Sequence, residues 1–277
     1  DYLKSRGKKP FVLVPITNPK NAGVLLDIAQ KLASPTTGKV LLLQVVKKDT
    51  KTTNQLLAEE LQNANQVLKE ALLVGINENS KTPEALLTIA ADPLIDISRV
   101  ASSHHCETVV LGFDTKMEPS KVSAIDKLIS QLNCNVALLS NPKQCQINTL
   151  ERVLVPISGR GGHDALRARV LGSLIAGGVK EITLLKILPK NSTRQEIQDQ
   201  EKSLTIRAQD EARGFARTKV VLSNNAIEGI IEEANSHDII LLGMSKLARS
   251  QLGLGAMSIK IAAEVACPTL IIGRAHS

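Results

Sequence analysis

Aromatic side chains are almost missing from this 277-residue sequence, which has one tyrosine, three phenylalanines and no tryptophan. That scarcity argues against single-stranded nucleic-acid binding, which uses aromatic platforms to stack bases. Cysteine is sparse too. Cys106, Cys134, Cys145 and Cys267 are too few and too scattered for a disulfide framework or a zinc motif. Cys134 and Cys267 each stand just before an apolar run and read as small buried residues. Thiols used in this way fit the reducing cytosol or the cytosolic face of a membrane. No apolar stretch approaches the length of a membrane span, and there is no signal-peptide pattern. Charge of one sign is not concentrated either. The formal net charge is +7, but lysine and arginine are spread along the chain with acidic residues among them. This describes a solvated, mildly basic surface, and no nucleic-acid partner is expected.

What is present is aliphatic. Hydrophobic residues make up 43% of the chain, and cores of Leu, Ile, Val and Ala suit buried parallel sheets covered by helices. An internal repeat organises them. Val12-Leu13-Val14-Pro15-Ile16 recurs as Val153-Leu154-Val155-Pro156-Ile157. Glu107-Thr108-Val109-Val110-Leu111-Gly112 is answered by Asp238-Ile239-Ile240-Leu241-Leu242-Gly243, and Cys134-Asn135-Val136-Ala137-Leu138-Leu139 by Cys267-Pro268-Thr269-Leu270-Ile271-Ile272. Three blocks in the same order mean two copies of one domain, placed at 11–142 and 143–277 and meeting near Asn141-Pro142-Lys143. Residues 1–10 form a basic segment ahead of them.

Each copy alternates short aliphatic runs with longer amphipathic stretches, the pattern of βα units and a parallel sheet. Strands are expected at 11–16, 39–46, 85–90, 108–111 and 136–140 in the first copy. In the second they are expected at 152–157, 181–187, 218–222, 238–242 and 269–273, with helices at about 163–176, 194–213, 226–236 and 256–266. Asp92-Pro93 and Asn225 read as helix starts. With right-handed crossovers the result is an α/β fold of two tandem, open parallel sheets, flavodoxin-like in order 3-2-1-4-5, with helices on both faces.

The layout resembles the universal stress protein family across nearly the whole chain, twice. That family opens on a Val-Leu-Val-Pro-Ile strand followed by Asp and ends on Cys-Pro-Val and an apolar strand. Its nucleotide-binding members carry Gly-x2-Gly-x9-Gly-Ser/Thr after the fourth strand, where backbone amides approach phosphates at a helix start. The second copy keeps part of this. Gly243 matches the first glycine, Lys246 stands in place of the second, and Gly255-Ala256 stands for Gly-Ser, one residue short, with Ser258 close behind. Ser158 replaces the Asp, ahead of the loop Gly159-Arg160-Gly161-Gly162. In the first copy Gly112 is followed by Phe113-Asp114-Thr115-Lys116, and Thr17 and Asn18 replace the Asp. Nucleotide binding is therefore not expected in either copy. If the second copy does bind one, Ser158, Gly243, Gly253, Gly255 and Ser258 are the candidate residues. The plain reading of Gly253 and Gly255 is turn geometry ahead of a helix.

Other chemistry finds no support. His104 and His105 are adjacent near a helix end and cannot share a face. His163 and Asp164 lie at a helix start, where Asp serves the dipole, and His237-Asp238 reads as turn chemistry before a strand. No catalytic set, metal site or cofactor is expected, and the chain is not expected to be an enzyme.

The chain opens on Asp1 and reads as a fragment. Lys4, Arg6, Lys8 and Lys9, with Tyr2, make a juxtamembrane-type lead-in that could meet anionic lipid. Taken whole, the sequence resembles the C-terminal cytosolic domain of prokaryotic cation-chloride cotransporters, within the amino acid–polyamine–organocation superfamily. The resemblance implies a homodimeric regulatory domain on the cytosolic face of the cell membrane. Its partner would be the membrane domain of the same polypeptide, which would move chloride with sodium and/or potassium. Two alternatives stand beside it: a free tandem universal stress protein binding ATP through its second half, and the cytosolic domain of an amino-acid permease or cation/proton antiporter.

Overall fold

The computed structural model describes residues 11–16, 18–33, 38–48, 53–75, 82–116, 118–142, 145, 147–158, 164–246 and 252–273. The basic segment 1–10, with its lipid-contact candidates Lys4, Arg6, Lys8 and Lys9, lies outside these residues, as do Thr17 and His163.

The first copy runs β1 (Phe11–Pro15), α1 (Ala22–Leu32), β2 (Lys39–Lys47), α2 (Asn54–Gly75), β3 (Glu84–Ala90), α3 (Pro93–Ser103), β4 (Cys106–Phe113), α4 (Pro119–Gln131) and β5 (Asn135–Ser140). The second runs β6 (Arg152–Pro156), α5 (Asp164–Ala176), β7 (Glu181–Leu188), α6 (Arg194–Ala212), β8 (Arg217–Leu222), α7 (Ala226–Ala234) and β9 (Ile239–Gly243). It closes with a small hairpin of β10 (Ser245–Lys246) and β11 (Leu252–Gly253), then α8 (Ala256–Glu264) and β12 (Thr269–Gly273). Strand order is β3-β2-β1-β4-β5 in the first copy and β8-β7-β6-β9-β12 in the second. Both are the 3-2-1-4-5 order read from the sequence. The resolved ladders β1–β2, β2–β3, β6–β7, β7–β8 and β9–β12 are all parallel.

Why these segments become strands is visible in their burial. Val12–Ile16 and Val153–Val155 are buried without alternation, as befits central parallel strands covered on both faces. Helix α1 buries Ala22, Leu25, Leu26, Ile28, Ala29 and Leu32, the stripe that a 3.6-residue period brings to one side. The helix starts carry the expected caps. Asp92 accepts hydrogen bonds from the amides of Leu94 and Ile95, with Pro93 in the first turn, and Asn225 accepts from those of Ile227 and Glu228. A capping box at Thr193 and Glu196 opens α6.

Packing divides the chain into two compact units. One holds residues through Leu111 together with Gln131–Val136, and the other holds Gly112–Ser130 and the chain from Ala137 on. Helix α4 and the end of β5 thus pack with elements of the second copy. Within that second unit the Thr269 amide donates to Ser140 Oγ at 2.8 Å.

One side chain fixes the start of β6. The Asp238 carboxylate accepts from the amides of Glu151 (3.0 Å) and Arg152 (2.8 Å) and pairs with the Arg152 guanidinium at 3.1 Å. Burial alone would raise its pKa. The two amides and the guanidinium outweigh burial and hold the carboxyl below its ordinary value. Asp238→Ala should cost about 1–2 kcal/mol of stability near neutral pH. A depressed folded-state pKa gives stability that is complete above the unfolded value, about 3.9, and lost as pH falls through the folded one. Urea midpoints of the wild type and Asp238→Ala should therefore differ at neutral pH and converge in strong acid.

Candidate functional site

In an open parallel sheet, ligand chemistry belongs at the carboxyl ends of the strands, where the order reverses. In the second copy that point lies between β6 and β9, which pair through Val153–Ile239 and Leu154–Ile240. Ser158 follows the carboxyl end of β6, and Gly243 is the last residue of β9. The structure therefore brings them to the same end of the sheet, and the hairpin β10–β11 carries the chain from Gly243 to Gly253 and Gly255.

The hairpin changes what the glycine pattern can do. Lys246, standing where the second glycine would be, lies in β10 and registers with Leu252. Gly255 caps α8 with φ −58° and ψ 144° and no side-chain cap bond. That backbone is open to any residue, so the reading of Gly255 as a turn-geometry glycine is corrected: the structure uses no left-handed backbone there. Ser258 is buried inside the first turn of α8. The amide that leads into the helix, that of Leu254, is already used. It donates to Asp126 Oδ1 on α4 at 2.7 Å, inside the second unit. A carboxylate of the protein thus takes up this amide ahead of α8.

The main chain of Ser158 is engaged as well. Lys186, on β7, reaches the Ser158 carbonyl through Nζ at 3.3 Å. Burial, and then the charge of Arg207, pull the Lys186 pKa below its ordinary value. Beneath this mouth Arg167 of α5 and Glu211 of α6, both buried, form a direct ion pair through two guanidinium nitrogens. Asp164 Oδ1 accepts from Arg167 at 2.7 Å and from Arg207 at 3.2 Å. Asp164 was expected to serve the helix dipole, and it also closes this four-residue charge network.

The remaining sequence candidates fall elsewhere. His104 caps α3 and His105 follows with a positive φ of 51°. His237 is more than a turn residue: its ring is buried. Nδ1 donates to the Glu233 carbonyl at 2.8 Å, an assignment fixed because a carbonyl can only accept. Nε2 lies 3.0 Å from the hydroxyl of Thr183, which also accepts from Arg217 Nε at 2.9 Å. This network ties the starts of β7, β8 and β9 together, away from the strand mouths. Cys106 and Cys134 line a cleft of about 280 Å³ in the first unit with Ser98, Ser102, His105 and Gln131. Burial pushes both thiols up to about 12, so neither is a thiolate nucleophile at neutral pH. Cys267, expected to be buried, is half-exposed. Among the described residues no group of three or more His, Cys, Asp or Glu could hold a metal ion, and no helix is long and apolar enough to cross a membrane.

No family model matches the chain, and no curated protein matches it. Solved structures do. A universal stress protein from Archaeoglobus fulgidus superposes with a TM-score of 0.67 at 15% identity, covering 97% of each chain. The cytoplasmic domain of a prokaryotic cation chloride cotransporter superposes with a TM-score of 0.61 at 14% identity, covering 96% of this chain and 95% of that one. At such identities the likeness shows the fold: tandem universal-stress-protein-like halves.

The charge network yields a prediction. Glu211→Ala leaves Arg167 buried with Asp164 as its one remaining close acidic partner among the described residues and should cost about 3 kcal/mol. Replacing the pair together, Arg167→Met with Glu211→Leu, should recover most of that loss. Chemical denaturation of the single and double variants measures both values.

Proposed function

We propose that this chain is a non-catalytic, cytosolic regulatory and dimerisation domain of a membrane transporter that moves chloride with sodium and/or potassium. Support comes from the likeness to a cotransporter cytoplasmic domain over 96% of the chain, together with the basic lead-in Lys4, Arg6, Lys8 and Lys9. Its partners are then a second copy of itself and the membrane domain of the same polypeptide, on the cytosolic face of the cell membrane.

The second reading is a free tandem stress protein that binds ATP, and the Archaeoglobus superposition favours it. A contact that weighs against it is the one between Asp126 and the Leu254 amide. A phosphate oxygen sharing that amide would lie within about 4 Å of a carboxylate. Like-charge repulsion there is about 1 kcal/mol in water and about 4 kcal/mol at a protein surface. The helix terminus returns only ~0.3–1 kcal/mol. The repulsion is the larger of the two, which supports a scaffold role over nucleotide sensing.

Two measurements separate the readings. Calorimetry at millimolar ATP should show no saturable heat. Micromolar binding that is abolished by Gly255→Asp would favour the stress-protein reading. In cells, the native polypeptide carrying this domain should sediment with membranes and resist carbonate extraction. A freely soluble native polypeptide would overturn the transporter reading.

A further inference from the structure

The cleft of about 280 Å³ in the first unit lies at the amino ends of the strands, opposite the mouths where folds of this kind receive ligands. It opens where β4 and β5, neighbours in the sheet, begin. Cys106 is the first residue of β4, and Cys134 directly precedes Asn135, the first of β5. Neighbouring strands lie about 4.8 Å apart, inside the roughly 4.4–6.8 Å between Cα atoms that a disulfide spans. Both residues are more than nine-tenths buried, at 7% and 8% exposure, and both line this one cleft. After burial, the charge of Cys134 is the next influence raising the Cys106 pKa, which requires the two sulfurs to be close.

The repeat supplies a comparison. The second copy has His237 where the first has Cys106, and Cys267 where it has Cys134. The His237 ring is held by the Glu233 carbonyl and the Thr183 hydroxyl, and Cys267 Sγ lies 3.9 Å from the Ala234 carbonyl. A pair of thiols at this end of the sheet is therefore a property of the first copy alone.

We propose that Cys106 and Cys134 form a reversible disulfide, a redox-sensitive clamp that ties the start of β4 to the start of β5. The co-reactant is a low-molecular-weight disulfide. One cysteine loses its proton and attacks a sulfur of that disulfide, whose S–S bond breaks as the mixed disulfide forms. The first small thiolate leaves and takes up a proton. The other cysteine then loses its proton, attacks the protein sulfur and expels the second small thiolate, which is protonated in turn. Two protein thiols are oxidised by two electrons, and one small disulfide is reduced to two thiols.

The cleft favours the bridged product. The bridge carries no charge, so burial does not penalise it as it penalises a thiolate. The same penalty slows exchange at neutral pH in both directions, since the reduced pair offers little thiolate and the bridge would expel a poor leaving group. In a reducing cytosol the pair rests as thiols, and the bridge is a durable response to oxidation. The clamp holds under the transporter reading and the stress-protein reading alike.

The test treats the full native chain at about pH 9, where thiolate is less scarce, with glutathione disulfide and in parallel with the smaller hydroxyethyl disulfide. Peptides are then mapped by mass spectrometry without reduction. A Cys106–Cys134 cross-linked peptide is expected. The melting temperature should rise by roughly 5 °C or more, because the bridge closes the chain between these residues into a loop. Dithiothreitol should restore both the thiols and the lower melting temperature. Cys106→Ser should leave the small thiol attached at Cys134, with no cross-link and no gain in melting temperature, whereas Cys267→Ser should leave the cross-link intact. Mixed disulfides on both Cys106 and Cys134 of the native chain, with no bridge between them, would overturn the proposal. So would free thiols at both positions after both reagents, or a bridge that forms only once the chain is unfolded in urea.

Discussion

Burial of an aliphatic parallel sheet on both faces is the constraint from which the rest follows. Leu13, Val14, Leu42, Leu154, Ile182 and Ile271 are all but sealed from solvent. Such strands have no polar face on which to build a site, so hydrogen-bonding chemistry is driven to their ends. At the amino ends the chain uses this chemistry to set register. Asp238 holds the start of β6, and His237, Thr183 and Arg217 hold the starts of β7 to β9. At the carboxyl ends, where folds of this kind receive ligands, the protein's own side chains engage two main-chain groups of the second copy. Lys186 answers the Ser158 carbonyl and Asp126 answers the Leu254 amide.

This internal filling accompanies the eroded glycine motif. Removing a glycine does not by itself remove an anion site, because helix amides and their dipole remain. Supplying a carboxylate does. The buried Arg167–Glu211 pair has a similar sense: its charges are satisfied by each other and by Asp164. At the strands β3 and β8 the two copies have diverged. Strand β8 carries paired charges and β3 carries a run of uncharged residues.

Much of the architecture was legible in the sequence because it is written locally and then repeated. The Val-Leu-Val-Pro-Ile pair, the two Gly-ended strands and the helix starts at Asp92 and Asn225 are signals of a few adjacent residues. They were enough for strand order. The site was less legible, because its decisive contacts join distant positions. Asp126 and Leu254 are 128 residues apart, and Arg167 and Glu211 are 44 apart. Nothing in the neighbourhood of either partner announces the other. The hairpin β10–β11 was missed since two-residue strands have no period to detect. His237 looked like a turn residue because its backbone does close a turn on Ala234, while its ring is recruited by Thr183 across the sheet. The glycine at 255 was read for conformational freedom that its backbone does not use.

The most direct test watches the Leu254 amide itself. In the amide spectrum of isotopically labelled protein, the resonances of Gly253 to Ser258 should stay in place as ATP is raised to millimolar, while Asp126→Ala alone shifts Leu254. Saturable movement of those resonances with ATP in the wild type would mean that the carboxylate does not hold the site, and would contradict the reading of this domain as a scaffold closed to nucleotide.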